Sequence, residues 1–361
     1  MKYILITGSN GLVGSEAVNF FSKKNFRAIG IDNNLRNYFF GAQGDTRWKL
    51  ADLQKKNKKY INYSIDIRDY KKLENIFKKY SNKIKCVIHA AAQPSHDWAY
   101  KEPVTDFSVN ALATLYMLEL TKKFSPKAVF IYLSTNKVYG DLPNYLKFFE
   151  KQKRFELKKK DKYFNGIDEH MSIDNSVHSL FGVSKCSADL LVQEYGKNLK
   201  LKTGIFRAGC ITGPNHSGAE LHGFLNYLIK CNLNKKLYKI FGYKGKQVRD
   251  NIHSFDLING FWSFIKKPKY GEVYNIGGSR LNSCSVLELI SKIEKVTKIK
   301  MNFKIQKKNR KGDHKWYISD VTKFKSQYPK WKLKYNLDDI IIQTIEHLRN
   351  KVNPRLRVLN K

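Results

Sequence analysis

The sequence has no run of about 18 or more apolar residues, which is close to the length a helix needs to cross a bilayer. The first apolar run ends at Ile6 in front of a glycine-rich turn, so the N-terminus is typical of a folded strand rather than of a signal peptide. We therefore expect a protein without membrane contact. Its 361 residues are enough for a buried core and for two domains.

Cysteine is scarce, and its spacing is irregular. The five cysteines are scattered, their number is odd, and none forms a C-x-x-C pair. This pattern argues against a zinc ribbon and against a disulfide framework. The histidines also lack metal-ligand spacing, so we predict no metal site. Reduced thiols are typical of the cytoplasm, which is the location we expect.

Acidic residues are few: 31 Asp and Glu stand against 67 Lys and Arg, which gives a formal charge of +36. Only 12 of the basic residues are arginine, whereas a protein that reads phosphates or bases usually concentrates arginine in one place. Basic residues cluster mildly at 147–162, at 304–315 and after 349. We interpret the charge as a lysine-rich surface that attracts small anionic ligands, and we do not expect nucleic acid as a partner.

Short apolar runs alternate with amphipathic stretches through the first 207 residues. This order predicts a parallel sheet covered by helices on both faces, an α/β doubly wound (Rossmann) fold. The predicted strands are 2–7, 27–31, 61–65, 86–89, 128–133 and 202–207, and the predicted helices are 15–24, 70–80, 104–124 and 181–199.

The alternation becomes irregular after residue 206. We predict a dinucleotide-binding domain over 1–206, with an excursion at 142–170. Residues 246–266 are predicted to return to this domain. Residues 207–348 are then mainly a smaller, mixed α/β substrate-binding domain. Residues 349–361 form a basic tail.

A glycine motif lies between the first strand and the first helix. Gly8, Gly11 and Gly14 allow a tight turn and a close approach of the backbone to a pyrophosphate, which the helix N-terminus favours. The same turn contributes Asn10, Leu12 and Val13. These features predict a bound dinucleotide.

Two acidic residues follow later strands. Asp32, next to Asn33, ends the second strand and is placed to accept the ribose hydroxyls of NAD, whereas it would repel the extra phosphate of NADP. Asp66, next to Ile67, is a candidate for the adenine amine. NAD is therefore the predicted cofactor.

Six ordered motifs extend over roughly residues 2–348. Besides the glycine motif, they are His89-Ala90-Ala91-Ala92-Gln93, Ser134-Thr135-Asn136-Lys137-Val138-Tyr139-Gly140, Phe181-Gly182-Val183-Ser184-Lys185, Arg249-Asp250 with the residues to Asp256, and Tyr274-Asn275-Ile276-Gly277-Gly278. With these motifs the chain resembles the extended short-chain dehydrogenase/reductases, the NAD-dependent epimerase/dehydratase family. Within it, the sequence is most similar to the nucleotide-sugar 2-epimerases that act on CDP-paratose or CDP-tyvelose.

The resemblance implies cofactor contacts at Ala90, Ala91 and Lys185, and a catalytic set of Thr135, Lys185 and a tyrosine four residues before the lysine. Position 181, however, is phenylalanine, which has no proton to transfer. Three interpretations stay open: another side chain acts as the base, the chemistry differs, or the protein binds a nucleotide without redox activity. For the first we favour His96. The other candidates are His178, Tyr139 and Cys186.

The resemblance also implies a substrate and an assembly. It implies a nucleotide sugar, with a CDP-hexose favoured, that is epimerised through a transient keto sugar and the return of hydride. A dehydratase or reductase of the same substrate class is the alternative. A homodimer would pack helices 104–124 and 181–199. Because arginine suits a diphosphate, we predict substrate contacts at Arg207, Arg249 and Arg280, and the motifs add Asn136, Lys137 and Asn215.

Overall fold

The structure is a computed structural model that describes residues 2–220, 223–307, 309–310 and 312–352. Of the basic tail predicted at 349–361, residues 353–361 lie outside the described residues. The strands are β1 Lys2–Thr7, β2 Phe26–Ile31, β3 Ile61–Tyr63, β4 Ile84–His89, β5 Val129–Thr135, β6 Phe148–Glu150, β7 Phe155–Leu157, β8 Lys202–Ala208, β9 Cys210–Thr212, β10 Tyr238–Phe241, β11 Val248–His253, β12 Glu272–Ile276, β13 Ser283–Ser285, β14 Phe303–Gln306 and β15 Trp316–Tyr317. The helices are α1 Leu12–Ser22, α2 Leu35–Phe40, α3 Arg47–Lys56, α4 Tyr70–Tyr80, α5 His96–Lys101, α6 Pro103–Phe107, α7 Ala113–Phe124, α8 Leu180–Lys197, α9 Phe224–Leu233, α10 Ser254–Lys266, α11 Val286–Thr297, α12 Thr322–Gln327 and α13 Leu337–Val352.

Seven parallel strands form the central sheet, in the order β12-β8-β5-β4-β1-β2-β3. The chain therefore runs outward in both directions from β1, and the strand order reverses between β1 and β4. In an open parallel sheet, ligands bind outside the carboxyl ends of the strands at such a reversal. The predicted doubly wound fold is confirmed.

The sheet has an apolar layer on each face. Ile4 and Ile6 of β1 belong to the cluster under α1, α10 and α12, while Leu5 belongs to the cluster under α4, α7 and α8. Neighbouring residues of one strand point to opposite faces, so both faces must be covered to keep these side chains from water. This double burial explains why the strands read as continuous apolar runs.

The first helix begins earlier than predicted. It starts at Leu12 rather than at residue 15, with Gly11 as the residue before its first turn. The glycine motif and the helix start therefore overlap, so that backbone N–H groups of the first turn face the cleft described below. The other predicted elements match within about two residues at most ends. The predicted helix 104–124 consists of α6, a π turn at Ser108–Leu112 and α7.

After residue 207 the chain returns to the layers of the central sheet twice, with α10 inside the predicted range 246–266 and with β12 after it. In that range α10 packs against α1, but β11 pairs with β9, β13 and β15 outside the central sheet. The seventh strand of the sheet is β12, from the part of the chain predicted to bind substrate. The position of a parallel strand is decided by the strands with which it pairs. The five residues of β12 therefore do not indicate by themselves that they belong to the central sheet.

A smaller mixed layer faces the carboxyl ends of the sheet. Helices α9, α11 and α13 share one apolar cluster, beside the two-stranded sheet of β10 and β14. These elements lie after residue 207, in the part of the chain for which we predict a mixed α/β domain. The excursion at 142–170 contains the antiparallel pair β6–β7.

Candidate active-site cleft

A cleft of about 470 Å³ opens at the carboxyl ends of the central strands and reaches the smaller layer. Most of the predicted cofactor and catalytic residues line it. Those residues are Gly8, Asn10, Gly11, Leu12, Val13, Gly14, Asp32, Asn33, Asp66, Ile67, Ala90, Ala91, His96, Thr135, Phe181 and Lys185. Among the predicted substrate residues, Asn136, Lys137, Asn215 and Arg249 also line it.

The glycine turn is a cradle with no room for side chains. A Cβ added at Gly14 would lie 2.1 Å from the carbonyl oxygen of Gly8, well inside van der Waals contact. Gly8 adopts φ +67°, and its N–H donates to the Ile31 carbonyl at 2.8 Å. The side-chain oxygen of Asn10 is buried and has no hydrogen-bond partner in the described part of the chain. The turn thus presents backbone N–H groups and one polar side chain to a ligand.

Asp32 is fixed at the edge of this cradle. Its two carboxylate oxygens accept hydrogen bonds from the backbone N–H of Asn10 at 2.9 Å and of Asn34 at 2.8 Å. Burial raises the pKa of Asp32, and these two donors oppose the shift. Asp66 pairs with Arg68 and accepts from Asn33, both within 3.1 Å.

Thr135 and Lys185 lie side by side along β5 and α8. The Lys185 ammonium donates to the Leu133 carbonyl at 2.8 Å and stands over the Tyr132 ring at 4.2 Å. Burial lowers the pKa of Lys185 to about 7, although Asp189 and other carboxylates oppose that shift. Thr135 ends β5 and lines the cleft, and its hydroxyl oxygen accepts from the backbone N–H of Lys137 at 3.3 Å.

Phe181 packs against His96, with ring centroids 5.0 Å apart. Nδ1 of His96 lies 2.6 Å from the Ser179 hydroxyl oxygen. Burial, together with the neighbouring cations Lys137 and Arg310, lowers the pKa of His96 to about 3. The imidazole is therefore neutral at pH 7 and accepts a proton poorly.

A charged group on the substrate side joins residues that are far apart in the sequence. Lys137 donates to the Gly312 carbonyl at 2.8 Å and lies 3.9 Å from the Asp313 carboxylate. Burial lowers the pKa of Lys137 to about 8, against the attraction of Asp313. Although burial opposes its ionisation, Asp313 has a strongly depressed pKa because Arg249 and Lys137 face it. Arg310 also lines the cleft and pairs with Asp97 at 2.8 Å.

Sequence reasoning missed Arg310 and Asp313. Both lie in the basic segment 304–315, which we interpreted as solvated surface. The only available signal was the scarcity of arginine and aspartate in that lysine-rich stretch.

The structure places Arg207 and Arg280 away from the cleft. Arg207 is buried and forms two hydrogen bonds, of 3.0 and 2.9 Å, with Asp189, so its guanidinium neutralises a buried carboxylate inside the fold. Arg280 binds Glu156 at 2.8 Å and stacks on Phe164. Scarcity of arginine does mark structured positions here, but Arg207 neutralises a carboxylate in the core and Arg280 forms a partly exposed ion pair outside the cleft.

Asn215 lines the cleft from the loop after β9. Its side-chain oxygen accepts from Lys49 of α3 at 2.7 Å, and the nearby Ser217 carbonyl accepts from Arg36 at 3.0 Å. These contacts fasten the loop across the mouth of the cleft, between the cofactor side and the smaller layer.

The other candidate bases face inward. His178 Nε2 lies 2.7 Å from the Val138 carbonyl, Tyr139 is fully buried and donates to Asn275, and Cys186 packs in an apolar cluster. None of the three lines the cleft. Over the described ranges no group of three potential metal ligands occurs, and no helix there combines the length and apolarity needed to cross a bilayer.

A family profile, the NAD dependent epimerase/dehydratase family, matches residues 4–277. The chain belongs to this family. The extended short-chain dehydrogenase/reductase resemblance is thereby confirmed.

Among curated proteins, the chain is similar to the CDP-paratose 2-epimerase of Salmonella typhi, with 31% identity over 344 residues that cover 93% of this chain and 96% of that protein. It is also similar to a dTDP-D-glucose 4,6-dehydratase of Dictyostelium discoideum, with 33% identity over 288 residues that cover 77% of this chain and 58% of that protein. Epimerases and dehydratases are thus both among its relatives.

Among solved structures, a UDP-glucuronic acid 4-epimerase from Bacillus cereus superposes with a TM-score of 0.76 and 25% identity, covering 97% of this chain and 99% of that chain. That structure is a tyrosine-to-phenylalanine variant in complex with UDP-4-deoxy-4-fluoro-glucuronic acid and NAD.

Proposed function

We propose that the protein is an NAD-dependent nucleotide-sugar epimerase that inverts carbon 2 of a CDP-hexose. The observation that carries the proposal is one continuous cleft, with a glycine cradle on one side and the cationic residues Lys137, Arg249 and Arg310 on the other. A dinucleotide and a nucleoside diphosphate sugar would then meet beside Thr135. The similarity to a CDP-paratose 2-epimerase supports the choice of substrate.

The cofactor side fits NAD in shape and polarity. The backbone at Gly8, Gly11 and Gly14 would hold the pyrophosphate, Asp32 the ribose hydroxyls, and Asp66 the adenine. Lys185 would hold the nicotinamide ribose. NAD bound there would supply reversible acceptance of a hydride from a sugar carbon.

On the substrate side, Arg249 and Arg310 suit the diphosphate, because a planar guanidinium binds phosphate oxygens in pairs. Arg249 starts out paired with Asp313, so the substrate would share an existing ion pair. The sugar would then lie against Thr135, Asn136 and Lys137, which follow β5 into the cleft.

For the proton transfer, we favour Lys137 as the group that replaces the missing tyrosine. Its side chain reaches the same part of the cleft as His96 and Phe181, since it donates to the Gly312 carbonyl and Gly312 lies against the His96 ring. A lysine whose pKa is close to neutral exchanges protons readily at physiological pH, whereas the His96 imidazole does not. Lys185 is held by Leu133 on the cofactor side.

The chemistry balances with these groups. Thr135 would orient the C2 hydroxyl, and the neutral Lys137 amine would take its proton while bound NAD supplies the hydride acceptor, so that a 2-keto sugar would remain. Once the sugar presents its other face, the hydride would return to C2 and Lys137 would give the proton back to oxygen. No water or further reductant is consumed.

A homodimer is part of the proposal. Helices α6 and α8 leave large apolar side chains exposed, with Val104 80%, Val183 44% and Leu190 49% accessible. These residues lie on the two predicted interface helices. Association would cover them.

The test is to release bound nucleotide from the purified protein and to incubate the protein with CDP-paratose in D₂O. We expect NAD(H) in the released fraction, and proton NMR showing inversion at C2 without deuterium at that carbon, because the hydride returns directly. The proposal is wrong if the protein neither carries nor takes up NAD, or if deuterium appears at C2.

Phe181 favours one second candidate, a nucleotide-sugar-binding protein without redox activity. That candidate predicts tight NAD and CDP binding, yet no inversion at any sugar carbon. The same NMR experiment separates the two functions.

A further inference from the structure

The substrate side of the cleft contains a buried amide with an unused acceptor. Gln247 immediately precedes β11, lines the cleft and is only 7% exposed. Its side-chain nitrogen donates to the Phe241 carbonyl at 3.4 Å. Within the described ranges, its side-chain oxygen is buried and has no hydrogen-bond partner.

The contact with Phe241 fixes which way the amide points. A backbone carbonyl only accepts hydrogen bonds, so the nitrogen of Gln247 must face it and the oxygen must face away. Buried acceptors almost always have a donor, and leaving one unpaired is costly. The oxygen is therefore matched to a donor that a ligand brings.

The surroundings of this amide suit a flat, partly apolar group. The wall beside it is formed by Tyr238, Ile240 and Phe241 of β10, with Cys284 and Val286 nearby in the lining. Mostly apolar walls with a few directed polar groups are typical of sites for nucleobases and similar ligands.

The position along the strand also relates the amide to the proposed diphosphate site. Gln247 is two residues before Arg249 in the chain, and both side chains line the same cleft. A single nucleoside diphosphate can therefore reach both, with its phosphates at Arg249 and its base at Gln247.

We propose that the side-chain oxygen of Gln247 reads the nucleobase and selects cytosine over uracil and thymine. Cytosine carries an amino donor at the position where uracil and thymine carry a carbonyl acceptor. Facing Gln247, an amino group completes the hydrogen bond, whereas a carbonyl is repelled and leaves two acceptors unpaired. This inference rests on the proposed nucleotide-sugar function and names the residue that sets its nucleotide.

The experiment is isothermal titration of the full-length protein with CDP and with UDP. We expect the wild type to bind CDP roughly ten- to hundredfold more tightly, the effect of one unpaired buried polar group. Gln247→Met, which removes the acceptor at similar volume, should lose that preference mainly by weaker CDP binding. Gln152→Met, at an exposed position, should keep it.

Gln247→Leu provides a second variant in case the methionine disturbs folding. It removes the same acceptor with a side chain of different shape and should also lose the preference for CDP. Equal binding of CDP and UDP to the wild type, or a preference that survives in Gln247→Met, would overturn this inference and leave the proposed function standing. A wild type that binds neither nucleotide would overturn both.

Discussion

The two sides of the cleft are built in different ways. On the cofactor side, a continuous stretch of backbone makes the site: Gly8 to Gly14 turn between β1 and α1, and Asp32 closes the edge. On the substrate side, side chains from separate segments make it. Lys137 follows β5, Arg249 lies in β11, and Asp313 comes from the segment before β15.

This difference explains the tolerance to change expected on each side. A backbone cradle cannot move away from an added atom, so the cofactor side requires residues without a side chain at its glycine positions. A cluster of long side chains adjusts its shape but depends on the sign and balance of its charges. Substitutions should therefore abolish binding on the first side and tune chemistry or selectivity on the second.

The largest effect is expected for Gly14→Ala. The new Cβ would lie 2.1 Å from the Gly8 carbonyl and 2.6 Å from the Ser9 Cα, so the turn must open. We expect protein without bound NAD(H), measured by absorbance of the released nucleotide. Ser22→Ala, at the far end of α1, is the control, because it leaves the turn untouched. Normal NAD content in Gly14→Ala would break the steric account.

The next largest effect separates two arginines that the sequence could not distinguish. Arg207→Met leaves the buried Asp189 without its partner and should lower the free energy of unfolding by about 3–5 kcal/mol in urea titrations. Arg249→Met should lower it less and should instead weaken CDP binding at least tenfold. The reverse pattern would contradict their placement in core and cleft.

A smaller effect is expected on the rate, from Lys137. Because the base must be neutral, kcat/KM should rise about tenfold per pH unit and level off above about pH 8, where the Lys137 pKa lies. Lys137→Met should lower kcat by about 10²–10⁴-fold and abolish this rise of kcat/KM with pH. Lys137→Arg, which does not deprotonate, should be equally inactive. Lys127→Met, on the surface, is the control; a rise that persists in Lys137→Met would exclude Lys137 as the base.

The smallest effect is expected for Phe181→Tyr. If Lys137 transfers the proton, a restored phenol changes kcat by only a few-fold, well below the 10²-fold typical of a general base. A rise of 10²-fold or more in initial rates would instead indicate a decayed site, and so favour the binding protein over the epimerase.

Prediction from sequence was most successful where one segment makes the structure. Gly8, Gly11 and Gly14 signal a turn between a strand and a helix because their function depends on near neighbours. It was less successful where the partner is remote. Arg207 and Arg249 look alike in sequence, and only the positions of Asp189 and Asp313 decide that one neutralises the core and the other faces a ligand.

The same holds for residues that were overlooked or placed by default. Arg310 and Asp313 resembled a solvated charge run, and β12 resembled part of a second domain. Nothing within either segment reports the sheet or the cleft that receives it.

The sequence by itself determined the doubly wound sheet, the dinucleotide cradle and the family, because apolar alternation and glycine spacing act over a few neighbouring residues. The tertiary structure decided which charges meet. It placed Lys137 beside Asp313 in the cleft, where desolvation lowers the pKa of Lys137 to about 8, and it buried the unpaired oxygen of Gln247 in the same cleft. Burial and Coulomb interactions depend on distance in space, and that distance is set only when the remote segments pack together.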